Sequence, residues 1–166
     1  MAAPTRRPED FVFEPPLPFS WSSVSFDNAN HEAAHGVAGV LLGITILEAR
    51  IDAPDVHTYG VVSVVKCPGD DWEQAAAYIA PLVMDGTAPP EPDPSAAIGS
   101  DLHKASVYWK TADRCEWPEL LRFVRWLLLS PSSRRSLRAV SSALLAEGAL
   151  PGDRVKQLVL DAGKGP

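Results

Sequence analysis

The stretch Asp27–Gly43, DNANHEAAHGVAGVLLG, governs how the rest of the chain is read. It sets His31 and His35 four residues apart, with Glu32 beside the first. Asp27 or Asn28 is a fitting N-cap and Gly43 a fitting C-terminal stop, so the stretch predicts a helix. On a helix, positions i and i+4 share a face, and both imidazoles can point at one ion. Glu32 lies about 100° round the helix from His31. That places it beside such an ion, where it can hold a water without being a ligand.

Neutral imidazoles suit zinc. Zinc lowers the pKa of a water it binds from about 16 to about 7. Glu32 could accept that proton while a carbonyl, polarised by the metal, is attacked. This is the HExxH logic of zinc peptidases. With four histidines and nine glutamates, a shuffled chain would contain the pattern about one time in two hundred, so the flanks matter. The bland alternative is a helix with a solvated His/Glu face. Ala33, Ala34, Gly36 and Val37 make the neighbourhood too apolar for that. Gly36 and Gly39 each cost about 1 kcal/mol of helix stability relative to alanine, a cost that points to close packing against another element.

Two histidines do not complete a catalytic zinc site, which takes three protein ligands and a water. The candidates for the third are Asp101, His103, His57, Cys67, Asp85 and Asp93. His57 sits in a polar turn and reads as solvated. Cys67 ends a strand and reads as a small buried hydrophobe. Asp101 opens a helix in IGSDLHKA, where the helix end would hold and orient its carboxylate. It would also neutralise the site together with Glu32 and Zn²⁺. Helix-start acids are common without any such role, and spacing alone leaves the choice open.

Around this centre, ITILEARI (44–51) and GVVSVVK (60–66) read as two antiparallel strands. DWEQAAAYIAPLVMDG (71–86) reads as a helix that Pro81 should kink or end. TAPPEPDPSAAIG (87–99) is a stiff loop. A helix follows over 100–113 with Ser100 as N-cap. Two amphipathic helices cover 116–130 and 131–148, with Pro131 in the first turn of the second. A short last helix lies within 150–163. The fold class is therefore mainly α with a small antiparallel β-sheet. Residues 1–20 form a proline-rich arm and 21–166 a single domain. Its 21–113 part holds the HEAAH helix, the strands and the Asp101 helix, and 114–166 the C-terminal helices.

The net charge of −6, with no basic block, argues against nucleic acid and anionic membranes as partners. No apolar run is long enough to span a bilayer, and the N-terminus lacks the apolar core of a secretory signal. Two cysteines, Cys67 and Cys115, leave room for one disulfide at most. They fit a reduced, cytoplasmic protein.

HEAAHGVAGVLLG, ITILEARI, GVVSVV, AAAYIAPLVMDG and GSDLHKA, in that order, resemble the peptidase domain of the FtsH-type ATP-dependent zinc proteases. RRSLRAVSSALLAEGALPGDRVKQLV is similar to that family's closing helices. The resemblance covers about residues 26–161 and implies a zincin-like domain with a helical C-terminal part. It implies His31, His35 and Asp101 as zinc ligands and Glu32 as the catalytic base. There are departures. The family's helix acids fall near Met84 and Asp85, so one is kept; Asp85 reads equally as support for a ligand histidine and as a helix-end acid. Nothing resembles the family's ATPase domain or membrane anchor. A stand-alone, ATP-independent peptidase acting on peptides or unfolded protein is the expectation. The alternative is an inactive, zinc-stabilised peptide-binding or regulatory module.

A substrate would be expected to add as a strand to the edge at GVVSVVK. The loop 87–94 could rim the cleft or simply connect. His103 could steady an oxyanion, or be exposed. Trp109, Trp117 and Trp126 read as core. The arm 1–20 could cover the cleft as an inhibitor.

Overall fold

The structure, a computed structural model, describes residues 24–51, 61–64, 71–84, 100–112 and 116–164. The arm 1–20, the turn with His57, both cysteines, Asp85 and the loop with Asp93 lie outside the described residues. Among the described residues six helices and three strands follow in order: α1 (Val24–Leu41), β1 (Ile46–Arg50), β2 (Val61–Val64), α2 (Asp71–Met84), α3 (Asp101–Ala112), α4 (Trp117–Leu129), α5 (Pro131–Glu147), β3 (Ala149–Pro151) and α6 (Gly152–Gly163). The chain is mainly helical with a small antiparallel sheet. No described helix is long and apolar enough to cross a membrane.

Helix α1 is the centre of the packing. Ala29, Ala33, Ala34, Val37 and Ala38 are fully buried, and the helix touches α2, α4, α5, α6 and β1. A helix in that position needs apolar residues on more than one face, broken here by the polar group of Asn30, His31, Glu32 and His35. Small residues let the neighbours come close. A Cβ on Gly36 would stand 3.2 Å from Val155 of α6, and one on Gly39 would stand 2.6 Å from Ile46 of β1. The helix begins at Val24, so Asp27 lies in its first turn rather than at its cap. An acid there still favours the helix dipole. The far end closes at Gly43, whose φ is 79°. Its N–H donates to Val40 O, and Ile44 N–H donates to Gly39 O, at 3.2 and 2.8 Å. This is a Schellman closure, which needs the left-handed residue glycine supplies.

β1 is central, with β2 on one side and β3 on the other, both antiparallel. A bulge between Ile46 and Glu48 shifts the register. It explains why Ile46 and Ala49, three apart, are both buried. The third strand was not expected from sequence. The sequence assigns Leu150 and Pro151 to the last helical stretch, whereas the structure pairs Ala149–Pro151 with β1 and starts α6 at Gly152; proline is tolerated on a strand at a sheet edge.

The first and last parts of the chain share one core, in which α1, α2, α4, α5 and α6 all place buried side chains. Ser130 caps α5, accepting from Ser133 N at 3.1 Å, with Pro131 at the first position. Trp117 is in the core, and Trp109 packs edge-on to it at 5.2 Å. Trp126 is half-buried, against Phe123, rather than a core residue.

Candidate metal centre

Three elements build the site. Helix α1 contributes His31, Glu32 and His35. The start of α3 contributes Asp101, and α2 backs the histidines. Ser100 caps α3, its Oγ accepting from His103 N at 3.2 Å, as its place before the helix predicted. The cap fixes the first turn of α3, and Asp101 projects from that turn toward α1. His31 Nε2 lies 3.0 Å from Asp101 Oδ2, and His35 Nε2 lies 3.3 Å from the same oxygen. The two imidazoles stand edge to face, with centroids 5.0 Å apart. His31, His35 and Asp101 together could hold a metal ion: one ligand atom from each lies within 4.8 Å of the others.

The hydrogen bonds say more about the ion's fit. His35 Nδ1 donates to the carbonyl of Ala77 at 2.8 Å, in a buried bond. A carbonyl only accepts, so Nδ1 carries the proton. In a neutral ring Nε2 is then a bare lone pair, and it faces a carboxylate oxygen. Two acceptors at that distance repel unless a proton on the ring or a cation between them supplies positive charge. Ligand atoms about 2.0–2.1 Å from a tetrahedral ion lie about 3.3 Å apart, close to the spacing seen here. The donor set therefore fits a metal ion.

Asp101 shows the same demand for positive charge. Burial works to raise its carboxyl, but the imidazoles of His31 and then His35 beside it outweigh that and hold the group well below the usual carboxylate range. Lys104 Nζ stands 3.9 Å from the other oxygen, Oδ1, and also over the ring of Tyr78.

Glu32 is buried, at 5% exposure. Its Oε2 has no hydrogen-bond partner among the described residues. Burial pushes its carboxyl above the ordinary value, while His35 and His31 pull it back. An orphaned, buried carboxylate oxygen beside a metal-binding group is unusual in a native interior. It is what a residue kept to hold a water would look like.

His103 is not in the metal-binding group. It sits two residues beyond Asp101, about 200° round α3. Sequence reasoning missed Ala77, because a backbone carbonyl has no side-chain signature. It also missed Lys104, a surface cation by pattern. No protein-family model matches the chain, and no curated protein matches it.

Proposed function

We propose that the protein is a zinc-dependent metallopeptidase, related to the peptidase domain of FtsH-type proteases. One observation carries the reading: three donor atoms from His31, His35 and Asp101 converge beside buried Glu32, whose Oε2 has no hydrogen-bond partner among the described residues. Two imidazoles and a carboxylate suit zinc. The residues divide the labour. His31, His35 and Asp101 would hold the ion, with the Ala77 carbonyl orienting His35 as such outer partners do. When bound, zinc polarises a substrate carbonyl and acidifies water. Glu32, buried beside these donors, would take the proton from the attacking water and pass it to the leaving amine. An extended peptide would lie along β2, an edge strand among the described residues.

The test is elemental analysis of the purified, tag-free protein, followed by incubation with unfolded casein. Stoichiometric zinc with chelator-sensitive cleavage supports the reading. Iron in place of zinc would redirect it, since two histidines and a carboxylate also suit non-haem iron. Zinc without cleavage would favour the binding-module reading.

A further inference from the structure

Helix α2 carries Pro81 in its interior and still runs on to Met84. A proline has no N–H and cannot donate to the carbonyl four residues back. For Pro81 that carbonyl belongs to Ala77. Ala77 O is the atom that accepts from His35 Nδ1, in the buried bond between α1 and α2. In an uninterrupted helix the N–H of residue 81 would claim this oxygen. Here the donor is missing at the turn where a side chain of α1 needs an acceptor. Pro81 is fully buried, so its presence is not a tolerated surface accident.

We infer that Pro81 is a positioning residue for the metal centre. By leaving the Ala77 carbonyl without its helical donor, it keeps His35 in the Nδ1–H tautomer and turns Nε2 toward His31 and Asp101. The inference deepens the metallopeptidase reading and rests on it for the metal. The tautomer itself needs no ion. A proline that merely bent the helix would have no need of this one acceptor.

The test compares three full-length chains. They are the wild type, Pro81→Ala, and a chain with the α-hydroxy analogue of alanine at position 81. The last forms a backbone ester, which lacks both the N–H and the ring. Two properties are read. Nitrogen-15 NMR of the His35 ring, above the titration range of histidine, reports the tautomer in the metal-free protein. Titration with cobalt(II), followed by its visible spectrum, reports affinity.

In Pro81→Ala the Nδ1–H signature should weaken and cobalt(II) affinity should fall by about 10- to 100-fold, as for other lost outer partners of metal ligands. The thermal midpoint of the metal-free protein should hold or rise, because alanine is the better helix former. The ester should restore both tautomer and affinity. Wild-type tautomer and affinity in Pro81→Ala would overturn the inference. So would an ester that behaves like Pro81→Ala, since the ring would then matter and not the missing donor. Should Pro81→Ala not fold, the ester against the wild type decides alone: it must match. If no chain binds cobalt(II), the metal reading fails, while the His35 tautomer still decides the role of Pro81.

Discussion

Gly152 opens α6 directly after β3 and sits against the first residue of β1. A Cβ placed there would stand 1.7 Å from the carbonyl oxygen of Ile46 and 2.5 Å from its carbon. An ordinary carbon–oxygen contact is about 3.3–3.6 Å. Gly152→Ala must therefore part α6 from β1 by about 1.5–2 Å, and both obstacles are backbone, so no side chain can swing aside. Val155 and Val159, both buried on α6, would lose much of their packing. Burying each contributes about 1.5–3 kcal/mol, which sets the expected loss at about 3–6 kcal/mol. For a chain of this size each kcal/mol moves the thermal midpoint by about 2–4 °C, so a drop of about 6–24 °C is expected. Circular dichroism melts measure it. Gly163→Ala is the control, because a Cβ at Gly163 meets nothing within 4 Å. A Gly152→Ala midpoint as close to wild type as that of Gly163→Ala would refute the packing argument, and with it the account of how β1 and α6 back the HEAAH helix.

Other outcomes concern the site. Glu32→Gln should retain zinc, since Glu32 is not among the converging donors, yet lose about 10²-fold or more in hydrolysis; full-rate cleavage would remove Glu32 from the mechanism. Asp101→Ala should bind zinc much more weakly than wild type in a competition titration, because it removes the oxygen that both imidazoles face. An unchanged affinity would mean that another residue completes the set. Treatment with a chelator should lower the thermal midpoint, and added zinc should restore it; zinc at 100 times its Kd contributes about 2.7 kcal/mol. A midpoint indifferent to both would argue that no ion is bound.

Much of this was legible because the pattern repeats at helical spacing. His31 and His35 fall on one face by arithmetic, and Gly43 and Ser100 announced a helix end and a helix start that the structure places there. The glycines of α1 signalled close neighbours, and Val155 and Ile46 are those neighbours. The third member of the His31–His35–Asp101 group was not legible from spacing. Asp101 lies 66 residues beyond His35, and only tertiary packing brings them together; the family resemblance singled it out. β3 escaped because three residues ending in proline carry no strand period. Pro81 was visible as an anomaly in its helix, but its use lies in a bond to a residue on another helix, which no local rule reaches.

Helix α3 buries only Ala105 and Ser106 and packs mainly on α2, where Tyr108 stacks on Tyr78 at 5.7 Å. A metal shared by His35 and Asp101 would therefore act as a removable cross-link, closing a long loop of chain and adding a tie to α1 for a helix that packs mainly on α2. The docking of α3 and the grip on the ion would then be two sides of one equilibrium. Substitutions at the tyrosine stack, which offers no ligand, would register as changes in metal affinity.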